Sequence, residues 1–388
     1  MSINVDDYDL LIVGSGFAGA TIARLHAEKG KRVLVLEKRN HIAGNMYDKV
    51  DKNGILVHQY GPHSFHTNDQ EVYRFVMKYG KWNNYILQCG AKLGNFISPT
   101  PFNFTTIDML YEEKDAKELK RKLLKKYLNK ETVTILELLK DNDKQIRFYA
   151  QRLFDLDYGP YTSKQWGTPL KKLDISILQR VPVRLSDKNA YYDDKYQIIP
   201  DCSYTDFFEK LLDHPNITIK LKTNALDFIK MDDVNKEILF GNKLLTIPVV
   251  YTGPIDDLFG FRYKKLPYRS LVFRYRTINR NSFQQYPVVA HPKANGYTRV
   301  IEYKKIPTQN IDNITTIVYE YPLFSDKKNE PYYPILTDDN RFIYEKYKND
   351  AEKFKLLYLC GRLADYKYYN MDMVIKRAFE VSSQLIKK

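Results

Sequence analysis

A mixed α/β fold is what this 388-residue sequence predicts, and three observations predict it. An apolar run, YDLLIV, leads directly into the glycine triad Gly14, Gly16 and Gly19. A helical stretch, ATIARLHAEKG, follows the triad. A second apolar run, KRVLVLEK, then ends on Glu37, 18 residues after Gly19. Strand, glycine turn, helix and strand in that order form a parallel βαβ unit.

Each part of that unit has a chemical reason. Gly14 permits the tight turn, and Gly16 lets a pyrophosphate approach the backbone. Gly19 lets helix and strand pack closely, so the helix N-terminus faces the anion. Glu37, at the strand end, is placed to accept the hydroxyls of an adenosine ribose. Together these elements predict dinucleotide binding on a Rossmann-like domain. After Glu37 the chain turns again at Ala43-Gly44-Asn45 and enters the polar, aromatic MYDKVDKNGILVHQYGPHSFHT. A plain NAD domain would instead continue to a third parallel strand, so the chain departs from that pattern here.

Further along, GAKLGNFISPTPFNF breaks the pattern, and amphipathic helical spacing runs from Thr105 to about Gln151. Within it, KELKRKLLKKYLNK reads as the outer face of a helix. Short β-rich segments (ITIKLKT, LVFRYRT, TRVIEY, TTIVYEY) fill the stretch from about Tyr191 to Ile317. The run LTIPVVYTGP is a second buried strand. The tail LLYLCGRLADYKYYNMDMVIKRAFEVSSQLIKK reads as a strand, a Gly361-Arg362 turn that adds a backbone contact for a long cofactor, and a final helix. The expected organisation is a Rossmann-like domain over 1–85, to which about 205–258 and 350–388 return. A helical domain over 105–180 carries a lid. An antiparallel sheet domain comprises 86–104, 181–204 and 259–349.

Composition narrows the function. Lys and Arg outnumber Asp and Glu by 61 to 47, which favours anionic partners or, more plainly, a lysine-rich solvated surface. No apolar run reaches the length of a membrane span, and MSINVDDYDL lacks the features of a signal peptide. Three scattered cysteines suggest neither a disulfide framework nor zinc; a cytoplasmic location without membrane insertion is expected. His58, His63 and His66 lack metal-ligand spacing, so no metal is expected.

Nine ordered segments narrow it further: EKRNHIAGNMYD, YGPHSFHTND, YTSKQWGT, RVPVR, YTGPID, LPYRSL, YTRVIEYK, PYYPI and GRLADYKYYNMDM. With its cofactor domain closed by the C-terminus, the chain is similar to the amine-oxidase flavoprotein superfamily. These segments resemble the bacterial UDP-galactopyranose mutases within it, over nearly the whole chain. The resemblance implies an FAD-dependent isomerase that interconverts UDP-galactopyranose and UDP-galactofuranose. It implies a covalent adduct between the anomeric carbon and N5 of reduced FAD. It also implies reduction by NAD(P)H, a homodimer, and supply of furanose sugar for cell-surface polysaccharide.

The resemblance also assigns residues. Arg180 and Arg299 are implied as diphosphate clamps, Arg180 semi-fixed and Arg299 on a mobile loop, and His63 as a catalytic-site residue beside the flavin. Tyr161, Trp166, Tyr191, Arg269, Tyr333, Tyr368 and Asn370 are implied substrate contacts. The implied cofactor contacts are Gly14, Gly16, Phe17, Gly19, Glu37, Lys38, Gly44, Asn45, His66, Gly361, Arg362 and Met371. Three departures stand out. Ala43 replaces a glycine, tolerable at negative φ. Asp157-Tyr158 stands where the family has two phenylalanines that help hold uracil, and Asn370 replaces an aspartate. Rival readings stay open: a nucleotide-sugar mutase of different sugar or base, a flavin oxidase or dehydrogenase, or, on charge alone, a nucleic-acid or surface-binding protein. No nucleic-acid partner is expected.

Overall fold

The structure, a computed structural model, describes residues 3–172, 175–179, 181–326 and 329–386. Among these, five parallel strands form a sheet in the order Ile217–Lys220, Val33–Leu36, Leu10–Val13, Val249–Tyr251, Leu357–Leu359. Alternation along the strands explains why both faces are covered. Leu10, Ile12, Val33 and Val35 point into one core with the helices Phe17–Ala27, Tyr204–Leu212 and Met371–Ile386. Leu11, Leu34, Leu36 and Val249 point into a second core on the opposite face. The chain leaves the sheet after Val33–Leu36, as expected, through an antiparallel pair, Asp48–Val50 with Leu56–His58. The third parallel neighbour arrives only at Ile217–Lys220.

The second core holds a difference from the expected boundaries. The helix Asp338–Ala351 buries Tyr344 and Tyr347 there, against the parallel sheet, and not within the antiparallel unit. Likewise Tyr196–Pro200 joins a small sheet with Phe65–Thr67 and Trp82–Asn84. In both cases apolar surface is buried against a partner remote in sequence, which local pattern does not encode.

Among the described residues a seven-stranded sheet runs in the order Tyr333–Pro334, Tyr268–Ile278, Thr315–Phe324, Arg299–Glu302, Val288–Ala290, Cys89–Leu93, Phe96–Thr100. It is antiparallel except where Val288–Ala290 lies parallel to Cys89–Leu93. A helical unit covers one end, with the helices Phe104–Leu110, Glu113–Lys126, Ile135–Leu139 and Lys144–Leu153 around their own core. Helix Glu113–Lys126 buries only Ala116, Leu119 and Leu123, so its lysines face water. Asn103 and Thr134 close capping boxes at two helix starts. Lys144–Leu153 continues through a π-helical turn, Phe154–Tyr158, into the lid helix Gly159–Trp166. Among the described residues no helix is long and apolar enough to cross a membrane.

Candidate active site

Two cavities meet where the parallel sheet, the seven-stranded sheet and the lid helix converge, and Tyr333 lines both. The first, about 450 Å³, is built largely from backbone and small residues at the C-terminal ends of the parallel strands. Gly14, Gly16 and Phe17 line it, with Glu37, Lys38, Gly44, Asn45, His63, Gly361, Arg362 and Met371.

The glycines separate into two kinds. A Cβ on Gly14 (φ +97°) would lie 2.3 Å from Thr252 Oγ1, and one on Gly19 only 2.0 Å from the Gly14 carbonyl oxygen. Both are therefore demanded by the fold itself, and Gly19 does not line the cavity. Gly16 differs: the nearest atom to its Cβ would be 3.8 Å away, so the space beside it is kept clear of the chain's own atoms. The helix that follows has no side-chain cap, leaving its first N–H groups open to an anion. This clear, uncapped cradle fits a dinucleotide pyrophosphate.

Glu37 departs from expectation. Its Oε2 accepts from Ser15 N (2.9 Å) and Ser15 Oγ (2.7 Å), and its Oε1 from Arg39 N (2.9 Å). A carboxylate offers roughly four acceptor positions, so one remains for a ribose hydroxyl where two were expected. Ala43 also departs: its φ is +71°, not negative. The left-handed turn lets Met46 N reach the Ala43 carbonyl (2.9 Å) and brings Gly44 against Gly16, where a Cβ on Gly44 would meet Gly16 Cα at 2.9 Å. Alanine pays roughly 1–2 kcal/mol for that conformation.

Lys38 pairs with Glu330 (2.8 Å), and Arg39 donates to Asn45 Oδ1 (3.0 Å). Phe17 packs against Phe65, Phe207 and Phe208, so much of its ring serves the core. His63 is half-buried; desolvation, then the nearby His58, Arg362 and Arg299, hold it well below the usual histidine range, hence neutral. Its backbone N–H donates to His58 Nδ1 at 3.0 Å.

The second cavity, about 600 Å³, is lined by side chains from many elements: Tyr161 and Trp166 from the lid helix, Tyr191, Arg269, Arg299, Tyr333, Tyr368 and Asn370. His66 lines this cavity and not the cofactor-side one: its ring stacks on Tyr192 at 3.6 Å and its Nδ1 bonds Asp194 (2.9 Å). Arg180 lies outside the described residues.

Arg299 is not on a mobile loop. It opens a strand inside the seven-stranded sheet, directly opposite Glu320 in register, and makes a bidentate pair with it (Nε 3.0 Å, Nη2 2.5 Å). Glu320 is fully buried and holds Arg299 firmly charged. Glu320 carries no sequence signal because only strand register pairs residues 21 apart; TRVIEY and TTIVYEY predict strands without a register. Three N–H donors of Arg299 remain for a ligand.

Arg269 is buried, its guanidinium 4.5 Å above the Phe324 ring, with Nε donating to the Gln165 carbonyl (3.0 Å). Burial lowers it to about 10, and among the described residues no carboxylate pairs with it. Among the described residues its other four N–H donors make no hydrogen bond, and a desolvated cation of that kind suits an anion. Arg362 lies 4.9 Å and 5.1 Å from the Tyr333 and Tyr368 ring centres, and those two rings stack on each other (5.5 Å, 16°). It thereby shapes both cavities. Lys164, unflagged by sequence, donates to the His291 (2.6 Å) and Ala294 (2.8 Å) carbonyls and ties the lid helix to the hairpin that leads into Arg299.

Comparison with known proteins places this architecture. Residues 158–368 match the family model for UDP-galactopyranose mutase, and residues 12–79 that for an NAD(P)-binding Rossmann-like domain. The chain is 39% identical to a UDP-galactopyranose mutase of Mycoplasma genitalium, over 99% of this chain and 96% of the relative. It is 34% identical to a dTDP-fucopyranose mutase of Escherichia coli, over 97% and 98% respectively. A crystal structure of reduced UDP-galactopyranose mutase superposes with a TM-score of 0.71 at 17% identity, covering 98% of this chain and 96% of that one.

Proposed function

The chain belongs to the UDP-galactopyranose mutase family of isomerases, and from that premise we propose that it interconverts UDP-galactopyranose and UDP-galactofuranose with reduced FAD. The observation that carries this reading is the junction at Tyr333 between a backbone-lined cradle for a dinucleotide and a cavity walled by arginines and tyrosines. When bound and reduced, FAD supplies a nucleophilic nitrogen, N5, to the sugar's anomeric carbon. The cradle holding it comprises Gly14, Gly16, Gly44 and Gly361 with Glu37, Lys38, Arg362 and Met371. Gly361 opens the second wall in the left-handed region (φ +111°), its N–H donating to Asp365.

The chain's own work is to stabilise the diphosphate as the glycosidic bond breaks. Arg299 presents its remaining donors from a rigid strand, and Arg269 presents a second, desolvated cation. Both strengthen as negative charge grows on the leaving oxygen. Tyr333 and Tyr368, their rings stacked on each other, line the same cavity. Trp166 and Tyr161, on the lid helix, exclude water. NAD(P)H as reductant, a cytoplasmic homodimer and supply of furanose sugar for surface polysaccharide complete the proposal. The test is to incubate dithionite-reduced protein with UDP-galactofuranose and follow ring-form exchange chromatographically. Exchange without net oxidation supports it; peroxide formation by the oxidised protein in air would favour an oxidase.

A further inference from the structure

We propose that Lys164 is a positioning residue: it fixes the hairpin that carries Arg299 to the lid helix, so that Arg299 and Arg269 stand as one diphosphate clamp. The inference rests on the mutase reading, which supplies the diphosphate, and adds to it a residue behind the cavity wall. Tyr161, Thr162, Gln165 and Trp166 of the lid helix line the substrate-side cavity, and Lys164 is not among the lining residues.

Arg299 opens the return strand of a hairpin. Ala290 lies opposite it in register, and residues 291–298 form the loop between them. Such a loop is longer than the about two to five residues that close most hairpins, so its path needs outside support. At its base the His291 N–H donates to the Thr298 carbonyl (2.7 Å), and the Thr298 N–H donates to the Glu320 carbonyl (2.8 Å). Glu320 is the carboxylate that holds Arg299. The outside support comes from the lid helix: Lys164 Nζ donates to the His291 carbonyl (2.6 Å) and the Ala294 carbonyl (2.8 Å).

The next residue holds the other arginine. Arg269 Nε donates to the Gln165 carbonyl (3.0 Å). A Cβ on Gly167, the left-handed cap of the same helix (φ +60°), would lie 2.5 Å from Arg269 Nη1. Cations settle at the C-terminal end of a helix, where carbonyls lack partners. Lys164 and Gln165 are consecutive, so a single helical turn sets the distance between the two guanidinium groups. A clamp on two linked phosphates depends on that distance, and a misplacement of about 1 Å can cost on the order of a hundredfold in rate.

The chemistry of Lys164 fits this role better than a purely structural one. Among the described residues no carboxylate pairs with it, and burial lowers its ammonium to about 8. A desolvated cation bonded to neutral carbonyls is a poor choice for stability alone. Behind the wall of a cavity that takes an anion, its charge is favourable.

The test is a double-variant cycle on the flavin-loaded protein, with UDP as the binding probe and ring-form exchange of UDP-galactofuranose as the measure of turnover. Lys164→Met should weaken UDP by about tenfold and lower turnover by about tenfold to a hundredfold, with flavin content unchanged and unfolding still cooperative. In an Arg299→Ala background the same change should move UDP affinity by less than about twofold, because the group it places is gone. Lys164→Arg, which keeps a charged donor for the two carbonyls, should recover most of the UDP affinity. The inference is overturned if the Lys164→Met and Arg299→Ala effects multiply in full, or if Lys164→Met acts only through lost flavin or lost folding. UDP affinity and turnover within about twofold of wild type in Lys164→Met would overturn it as well. If the coupling to Arg299 holds but the wild type exchanges no ring forms, the mutase reading falls and the clamp stands. If the wild type binds no UDP, both fall.

Discussion

The two cavities are built by different means. The cofactor-side cavity is made largely of backbone: a glycine turn, an uncapped helix start and the positive-φ residues Ala43, Gly44 and Gly361, with its first half inside one continuous stretch of chain. The substrate-side cavity is made largely of side chains that arrive from the lid helix, six strands of one sheet and the C-terminal turn. Backbone sites tolerate surface variation but not added atoms. Side-chain sites tolerate small shifts but not lost partners. Four experiments press on that difference.

The largest effect belongs to the glycines. Gly19→Val should abolish folding, since even a Cβ would sit 2.0 Å from the Gly14 carbonyl oxygen. Gly16→Val should fold with near-normal thermal stability and yet contain no flavin, because only the bound pyrophosphate needs that space. Absorbance at flavin wavelengths, read beside circular dichroism, separates the two. Full flavin occupancy in Gly16→Val would refute the backbone cradle.

Next comes the arginine pair on the side-chain site. Arg299→Ala should lower turnover by about 10²–10³, the range for removing one donor to developing charge. It should also cost about 3–5 kcal/mol of stability, because Glu320 is left charged and buried. Adding Glu320→Gln should recover most of the stability and none of the activity. Denaturant melts and turnover assays on the single and double variants check both. Arg299→Lys should recover activity only in part, since an ammonium lacks the fork.

Acid should act on both regions. Burial lowers His26 and His58, on the cofactor side, and His291, beside the substrate cavity, each to about 4. Their unfolded counterparts bind protons from about pH 6.5 downward. Between those values the unfolded state holds more protons, so stability is full above about pH 6.5 and falls as pH drops toward 4. Each histidine adds up to about 1.4 kcal/mol per pH unit. Melting temperatures across that window should slope accordingly, and His291→Gln should flatten the slope by one proton. An unchanged slope would show that His291 is protonated in the folded state.

The smallest effect is at Ala43. Ala43→Gly relieves a left-handed alanine but loosens the unfolded chain, so a net gain of up to about 1 kcal/mol is expected. Thermal melts of the flavin-loaded and flavin-free proteins measure it. A loss of stability would mean that the Ala43 methyl packs better than its backbone strain costs.

How much of this was legible beforehand follows the same division. Gly14, Gly16, Gly19 and Glu37 form a local pattern whose geometry is set by neighbouring residues, so the sequence by itself determined the parallel unit, and the nine ordered segments carried the family. Even there, the Ala43 conformation and the occupied acceptors of Glu37 depend on how separate turns pack. On the substrate side, sequence resemblance could name Arg299 and Arg269 but not their state. Glu320 meets Arg299 only through the register of two strands, and Lys164 meets residues 291 and 294 only when the lid helix docks. Tertiary structure decided which charges are paired and which are desolvated. Those properties depend on distance and burial, and both arise only when segments remote in sequence pack together.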